Sequence, residues 1–122
     1  MNLTIRYFNE TGDEMIFVRM SMTVLPEKRL EMSQTLQSMS GPVEKETGCL
    51  EHSVFSDILN ENRFCILETW KHREDLDRHI ATDRFCALLG AKVLLSEPLE
   101  IEIHTVTQSE GMAAVHKVRG RK

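Results

Sequence analysis

Residues 63–80, RFCILETWKHREDLDRHI, decide how this chain folds. From Arg63 to Lys71 the residues alternate. Phe64, Ile66, Glu68 and Trp70 fall on one face, and Cys65, Leu67 and Thr69 on the other, the period-two pattern of a strand. Past Lys71 the period changes. Glu74 and Asp75 stand where the N-terminus of a helix favours negative charge. Leu76, His79 and Ile80 are spaced i, i+3, i+4, which puts His79 on the buried stripe of a helix over 73–81. The strand face carrying Glu68 and Trp70 therefore meets the helix stripe carrying His79. A carboxylate, the chain's one indole and an imidazole gather around one space.

Working outward, residues 49–56, CLEHSVFS, read as a strand with Leu50, His52 and Val54 on one face. The turn-rich DILNEN at 57–62 joins it to the strand at 63–71 as an antiparallel hairpin. Residues 15–24, MIFVRMSMTV, form the first strand. Ile16, Val18, Met20, Met22 and Val24 make its apolar face. A helix runs from about Pro26, a residue suited to a first turn, to Glu46, with Met32, Leu36, Met39 and Val43 as its stripe and Leu30 off it. Gly41-Pro42 predicts a kink or a broken turn, and Gly48 a left-handed cap. Thr82 or Asp83 caps a second helical segment bearing Phe85, Leu88, Leu89 and Val93. After Pro98, LEIEIHTV at 99–106 alternates strictly, with Leu99, Ile101 and Ile103 inward.

The order is β-α-β-β-α-β. It predicts an α+β, ferredoxin-like fold, a four-stranded antiparallel sheet with helices on one face. Residues 1–14 read as an N-terminal extension, either a short extra strand or a frayed arm. Residues 15–106 form the domain, and 107–122 read as a flexible basic C-terminal tail. The second sheet face, left uncovered, predicts a symmetric homodimer with the sheets face to face.

With 122 residues the chain has room for one domain, and its 41% hydrophobic and 28% charged residues are ordinary globular composition. A net charge of −4 argues against nucleic acid as a partner. There is no apolar run long enough for a membrane span, and the first residues lack the apolar core of a signal peptide. The three cysteines, Cys49, Cys65 and Cys86, are widely spaced and contain no C-x-x-C, which predicts reduced thiols and a cytoplasmic protein without a zinc site. No phosphate-binding loop, dinucleotide fingerprint, nucleophile elbow or H-E-x-x-H occurs. For Glu68, Trp70 and His79 two readings stand. Glu68 pairs with His79 or with an arginine such as Arg84 in a polar core, or the three line a substrate cleft.

Ser40-Gly41-Pro42-Val43, Glu46-Thr47-Gly48-Cys49, Glu68-Thr69-Trp70 with His79 and Phe85, and Ser96-Glu97-Pro98, in this order, resemble the antibiotic biosynthesis monooxygenase family over about residues 15–106. The resemblance implies a dimeric α/β barrel with a cavity in each protomer. It also implies, for some members, oxidation of anthrones or quinols by dioxygen without metal, flavin or haem. Trp70 matches a cavity tryptophan of the anthrone oxygenases, and His79 a histidine frequent in the family. The chain departs from the anthrone oxygenases in having one tyrosine, Tyr7, outside the match, and Leu76 at a matching helix position. It departs from the haem-degrading branch in having Leu89 near the place of the axial histidine.

The expectation is a cofactor-independent monooxygenase of a small quinol, phenol or anthrone-like aromatic. His79 is the base, Trp70 orients the ring, Glu68 orients and charge-tunes His79, and Arg84, Phe64, Ile66 and Leu76 contact substrate. The alternatives are a non-catalytic dimeric ligand-binding module and an isomerase-like enzyme for a small metabolite.

Overall fold

The computed structural model describes residues 14–120. The extra strand or arm expected in the N-terminal extension lies outside them, Glu14 excepted. Four strands, β1 (Met15–Thr23), β2 (Cys49–Asp57), β3 (Asn60–Trp70) and β4 (Glu100–Val106), form one antiparallel sheet in the order β2-β3-β1-β4. Helices α1 (Arg29–Glu44), α2 (Arg73–Ile80) and α3 (Asp83–Gly90) supply apolar side chains to a core on one sheet face. This is the expected ferredoxin-like α+β fold.

The alternation read in β1 and β3 sets the core. Ile16, Val18, Met20, Met22 and Val24 are all buried, and β3 adds Ile66 and Trp70 beside them. The register places Trp70 opposite Ile16, Glu68 opposite Val18 and Ile66 opposite Met20. Met32, Leu36 and Val43 of α1 close over this face, Met39 packs against it, and Leu30 stays in solvent. Leu76 comes from α2, Phe85 and Leu88 from α3, and Leu94 from the 3-10 turn Ala91–Leu94. Thr82 caps α3: its Oγ1 accepts from Phe85 N at 3.1 Å and donates to His79 O at 2.7 Å.

Several expectations are corrected. The first helix begins as a 3-10 turn at Pro26–Lys28 and continues as α1 through Gly41-Pro42 to Glu44, with no broken turn there. Pro42 lies in the last turn, where few backbone bonds remain to be broken. Gly48 has the expected positive φ, 81°, but it serves the turn into β2 and not the helix end, whose cap is Lys45. The hairpin loop is two residues, Ile58-Leu59, because Asp57 and Asn60 already pair. A register shift between Cys49 and Glu51 makes Leu50 the extra residue of a bulge. Leu50 therefore leaves the face it was expected to share with His52 and Val54 and is half-exposed, while Cys49 packs on the core. Of the apolar residues read in the second segment, Leu89 and Val93 are exposed, while Phe85 and Leu88 are buried together with Leu94. The stretch beyond β4, expected to lack periodicity, contains a helix, α4 (Met112–Val118).

The other sheet face carries Phe17, Arg19, Leu67, Phe55, Glu102 and His104. Arg19 pairs with Glu102 (3.7 Å) and Phe17 stacks on His104 (centroids 6.2 Å apart). Phe55 is about half-exposed there. No described helix is long and apolar enough to cross a membrane.

Candidate functional site

The junction of β3 and α2 does bring Glu68, Trp70 and His79 together. Glu68 and Trp70 are two apart on β3, so they share the core face, and the Trp70 Nε1–H donates to Glu68 Oε1 at 3.0 Å. His79 projects from α2 onto the indole. The two rings stack with centroids 4.7 Å apart at 29°, and the Phe85 ring meets the imidazole edge-on at 5.3 Å. All four side chains are buried.

The charge partners match the expectation only in part. Glu68 does not pair with Arg84, and its nearest contact with His79 is 3.9 Å, from Oε2 to Nε2. Its partner is His52, directly opposite on β2, whose Nδ1 lies 2.8 Å from Glu68 Oε2. His52 Nε2 lies 3.2 Å from Ser40 Oγ on α1. Glu46, two residues past α1, is the carboxylate bonded to His79. Both its carboxylate oxygens are 3.0 Å from His79 Nδ1, and Arg84 Nη1 donates to its Oε2 at 2.8 Å.

This arrangement fixes the imidazole. A carboxylate only accepts, so His79 Nδ1 carries a hydrogen toward Glu46, and Nε2 faces Glu68 across the 3.9 Å gap. The space there is lined by Leu36, Met39, Val43, Ile66, Phe85 and Leu88, with His52, Glu68, His79 and Arg84 supplying its polar groups. Its volume is about 10 Å³, room for about one water. A ring-sized ligand enters only if helices and sheet part. Arg84, more than a third of whose side chain is exposed, stands at the solvent side.

Of the residues expected to contact substrate, Ile66 and Arg84 line this cavity. Phe64 lies further along the same strand face, beside an open surface groove with Leu30 and Ile58. Leu76 is packed in the core and does not reach the cavity. Trp70 lies beneath His79 and Glu68, touching both, and does not itself line the space. Sequence reasoning missed Glu46, His52 and Ser40 as site residues. Glu46 had a signal, since it continues the spacing of Met32, Leu36, Met39 and Val43 by three residues. Cys49 lies nearby: burial, then the charges of Glu68, Glu46 and Glu44, push its thiol up to about 12.

The family model described as antibiotic biosynthesis monooxygenase matches residues 15–89. The uncharacterized protein sll1783 of Synechocystis sp. is 30% identical over 100 residues, 81% of this chain and 68% of that protein. The Bacillus subtilis protein named "Putative monooxygenase YcnE" is 33% identical over 88 residues, 71% of this chain and 93% of that one. Among solved structures, a conserved protein from Methanosarcina mazei Go1 superposes with a TM-score of 0.71 at 30% identity, over 75% of this chain and 91% of that one. Rv0793 from Mycobacterium tuberculosis superposes with a TM-score of 0.74 over 80% and 99% of the two chains; at 17% identity it speaks for the fold alone.

Proposed function

The chain belongs to the antibiotic biosynthesis monooxygenase family, a family of monooxygenase type, and on that premise we propose that it oxidises a small electron-rich aromatic with dioxygen, using no cofactor. The observation that carries this reading is His79: one nitrogen is locked by Glu46, and the other faces a narrow space lined largely by apolar side chains. That is what a general base for a weakly acidic phenol or anthrone requires.

In the proposed reaction His79 Nε2 takes the acidic proton, leaving a delocalised substrate anion. The anion donates an electron to dioxygen, and the two recombine as a carbon–peroxide bond. The proton on His79 passes to the peroxide. The O–O bond then breaks, the carbon loses its remaining hydrogen, and one oxygen stays as a carbonyl while the other leaves as water. The protein supplies orientation, exclusion of water and the base. Phe85 and Ile66 would flank the ring, and the Arg84 guanidinium at the solvent side would attract an anion.

Oxygen uptake with a panel of quinols, phenols and anthrones tests this, in wild type and in His79→Ala. A second reading is a module that binds without turnover. It predicts thermal stabilisation by aromatics with no oxygen uptake. We also propose a symmetric homodimer through the sheet face of Phe17, Leu67 and Phe55. A sedimentation experiment that finds a monomer at micromolar concentration contradicts it.

A further inference from the structure

We propose that α4 is a docking arm whose apolar face seats in the groove behind the β2–β3 hairpin of a second copy of this chain. This rests on the proposed pairing of two copies and on no part of the proposed reaction.

The arm is the first argument. α4 is seven residues long and none of them is buried. A helix that short does not hold in water by itself, because most helical stability comes from packing an amphipathic face. Met112, Val115 and Val118 recur every three residues, so they share one side of the helix, and all three are exposed. Residues 111–122 carry Lys117, Arg119, Arg121 and Lys122 and no acidic residue.

The groove is the second. It has a volume of about 790 Å³ and lies between the start of α1 and the hairpin, with Leu30, Ile58 and Phe64 in its lining. Leu30 is 70% exposed and Ile58 97%. Two-residue hairpin turns favour Asn, Asp and Gly, so turn chemistry does not account for Ile58-Leu59, and the tip presents apolar surface for a contact. Ser56, Asp57 and Phe64 line this groove and also a smaller one that contains Phe55. The apolar surface thus continues onto the sheet face proposed above to pair. The groove's lining charges are Glu27, Asp57 and Glu61 against Arg29. Arg29 meets Glu61 at 3.3 Å and Arg63 meets Asp57 at 3.6 Å, partly exposed pairs that exchange partners at little cost. A basic arm therefore meets an acidic rim.

Reach decides which copy supplies the arm. β4 delivers α4 at the sheet end where Val106 faces Met15 and Trp70 faces Ile16. The hairpin is at the other end, where Asp57 faces Asn60. From Trp70 to Asn60 β3 extends about 33 Å, whereas the link from Val106 to Met112 spans at most about 22 Å. α4 starts short of its own hairpin tip, and no α4 residue lines its own groove. A two-fold axis running across the strands turns the second sheet end for end and brings its α4 to this groove.

The test is a disulfide trap. Ile58→Cys and Val115→Cys are placed together in a Cys86→Ser chain and oxidised with diamide at micromolar protein. Docking between copies gives a covalent dimer, with the link mapped to those two positions. Ala113→Cys, on the opposite side of the same helix, replaces Val115→Cys in the control and should link on the order of tenfold more slowly. Without oxidation, Val115→Asp and Ile58→Asp should each raise the dimer dissociation constant in sedimentation on the order of tenfold or more. The two together should do little more than either alone, because they break one contact. Both positions are exposed, so the protomer itself is undisturbed. A link within one chain, no link, or an equal link in the control overturns the proposal, as does a dissociation constant that neither Asp substitution moves. Any of these in a protein that is still a dimer refutes this inference alone. A wild type that sediments as a monomer refutes the pairing of copies with it. Oxygen uptake enters neither readout.

Discussion

Glu46 holds His79 by two equal contacts of 3.0 Å from its carboxylate oxygens to Nδ1, and Arg84 holds Glu46 in turn. The His79 imidazole is therefore oriented from the end of α1, not from the strand beside it. Glu46→Gln keeps the shape and loses the charge. The expected result is a fall in kcat of about 10- to 100-fold with KM little changed, part of the roughly 10²–10⁴ that a positioned acid–base group supplies. Steady-state oxygen uptake measures it. Equal loss in KM alone would mean that Glu46 serves binding.

Trp70 gives Glu68 Oε1 its hydrogen bond at 3.0 Å in a fully buried setting. Trp70→Phe retains a ring for His79 to stack on but leaves that oxygen unpaired. The expected loss of stability is about 1–3 kcal/mol, the cost of an unsatisfied buried polar group. Denaturant unfolding of the two proteins checks it.

Gly48 has φ +81°, and a Cβ there would overlap the carboxyl group of Asp75. Asp75 is itself buried and bonded to Arg78 (Nη1 to Oδ1, 3.0 Å), so it cannot retreat freely. Gly48→Ala should cost about 1–2 kcal/mol for the left-handed backbone alone, with the overlap added. Thermal unfolding reads this as a lowered Tm. Because Gly48 O also accepts from Lys71 N at 2.8 Å, the same change loosens the join between β2 and the end of β3.

The fold was legible because β1, β3 and α1 carry unbroken periods. Ile16 to Val24 and Phe64 to Trp70 alternate without a fault, and Met32, Leu36, Met39 and Val43 keep their spacing. The pairing inside the site was not legible, since it depends on register. A six-residue loop closed by Ser56 and Arg63 would set His52 opposite Leu67. The observed shift between Ser56 and Asp57 sets it opposite Glu68. A one-residue slip of this kind leaves composition and alternation unchanged. Glu46 was hidden differently: it follows Gly41-Pro42, where a kink or a broken turn was expected, and α1 instead continues unbroken to Glu44. Arg84 was read as a partner of Glu68 for want of that nearer carboxylate.

Cys49 offers a test by pH. Burial, reinforced by Glu68, Glu46 and Glu44, raises its thiol from 9.0 to about 12. An unfolded thiol ionises above about 9 and the folded one only near 12. Between those values the unfolded chain has lost a proton that the folded chain keeps, so the stabilisation present below pH 9 is lost as pH rises toward 12. Stability measured from pH 8 to 10.5 should fall more steeply in wild type than in Cys49→Ala (about 9 marks the onset). At pH 8 a thiol reagent should label exposed Cys86 and spare Cys49.

The central claim is that the cavity between Glu68 and His79 activates an aromatic substrate for reaction with dioxygen. Oxygen uptake by chelator-treated, flavin-free protein across quinols, phenols and anthrones tests it most directly, with His79→Ala measured alongside. The account predicts stoichiometric oxygen consumption and a carbonyl product with at least one of these substrates, reduced on the order of 10²-fold or more in His79→Ala. No uptake with any of them, or uptake that His79→Ala leaves unchanged, would contradict it.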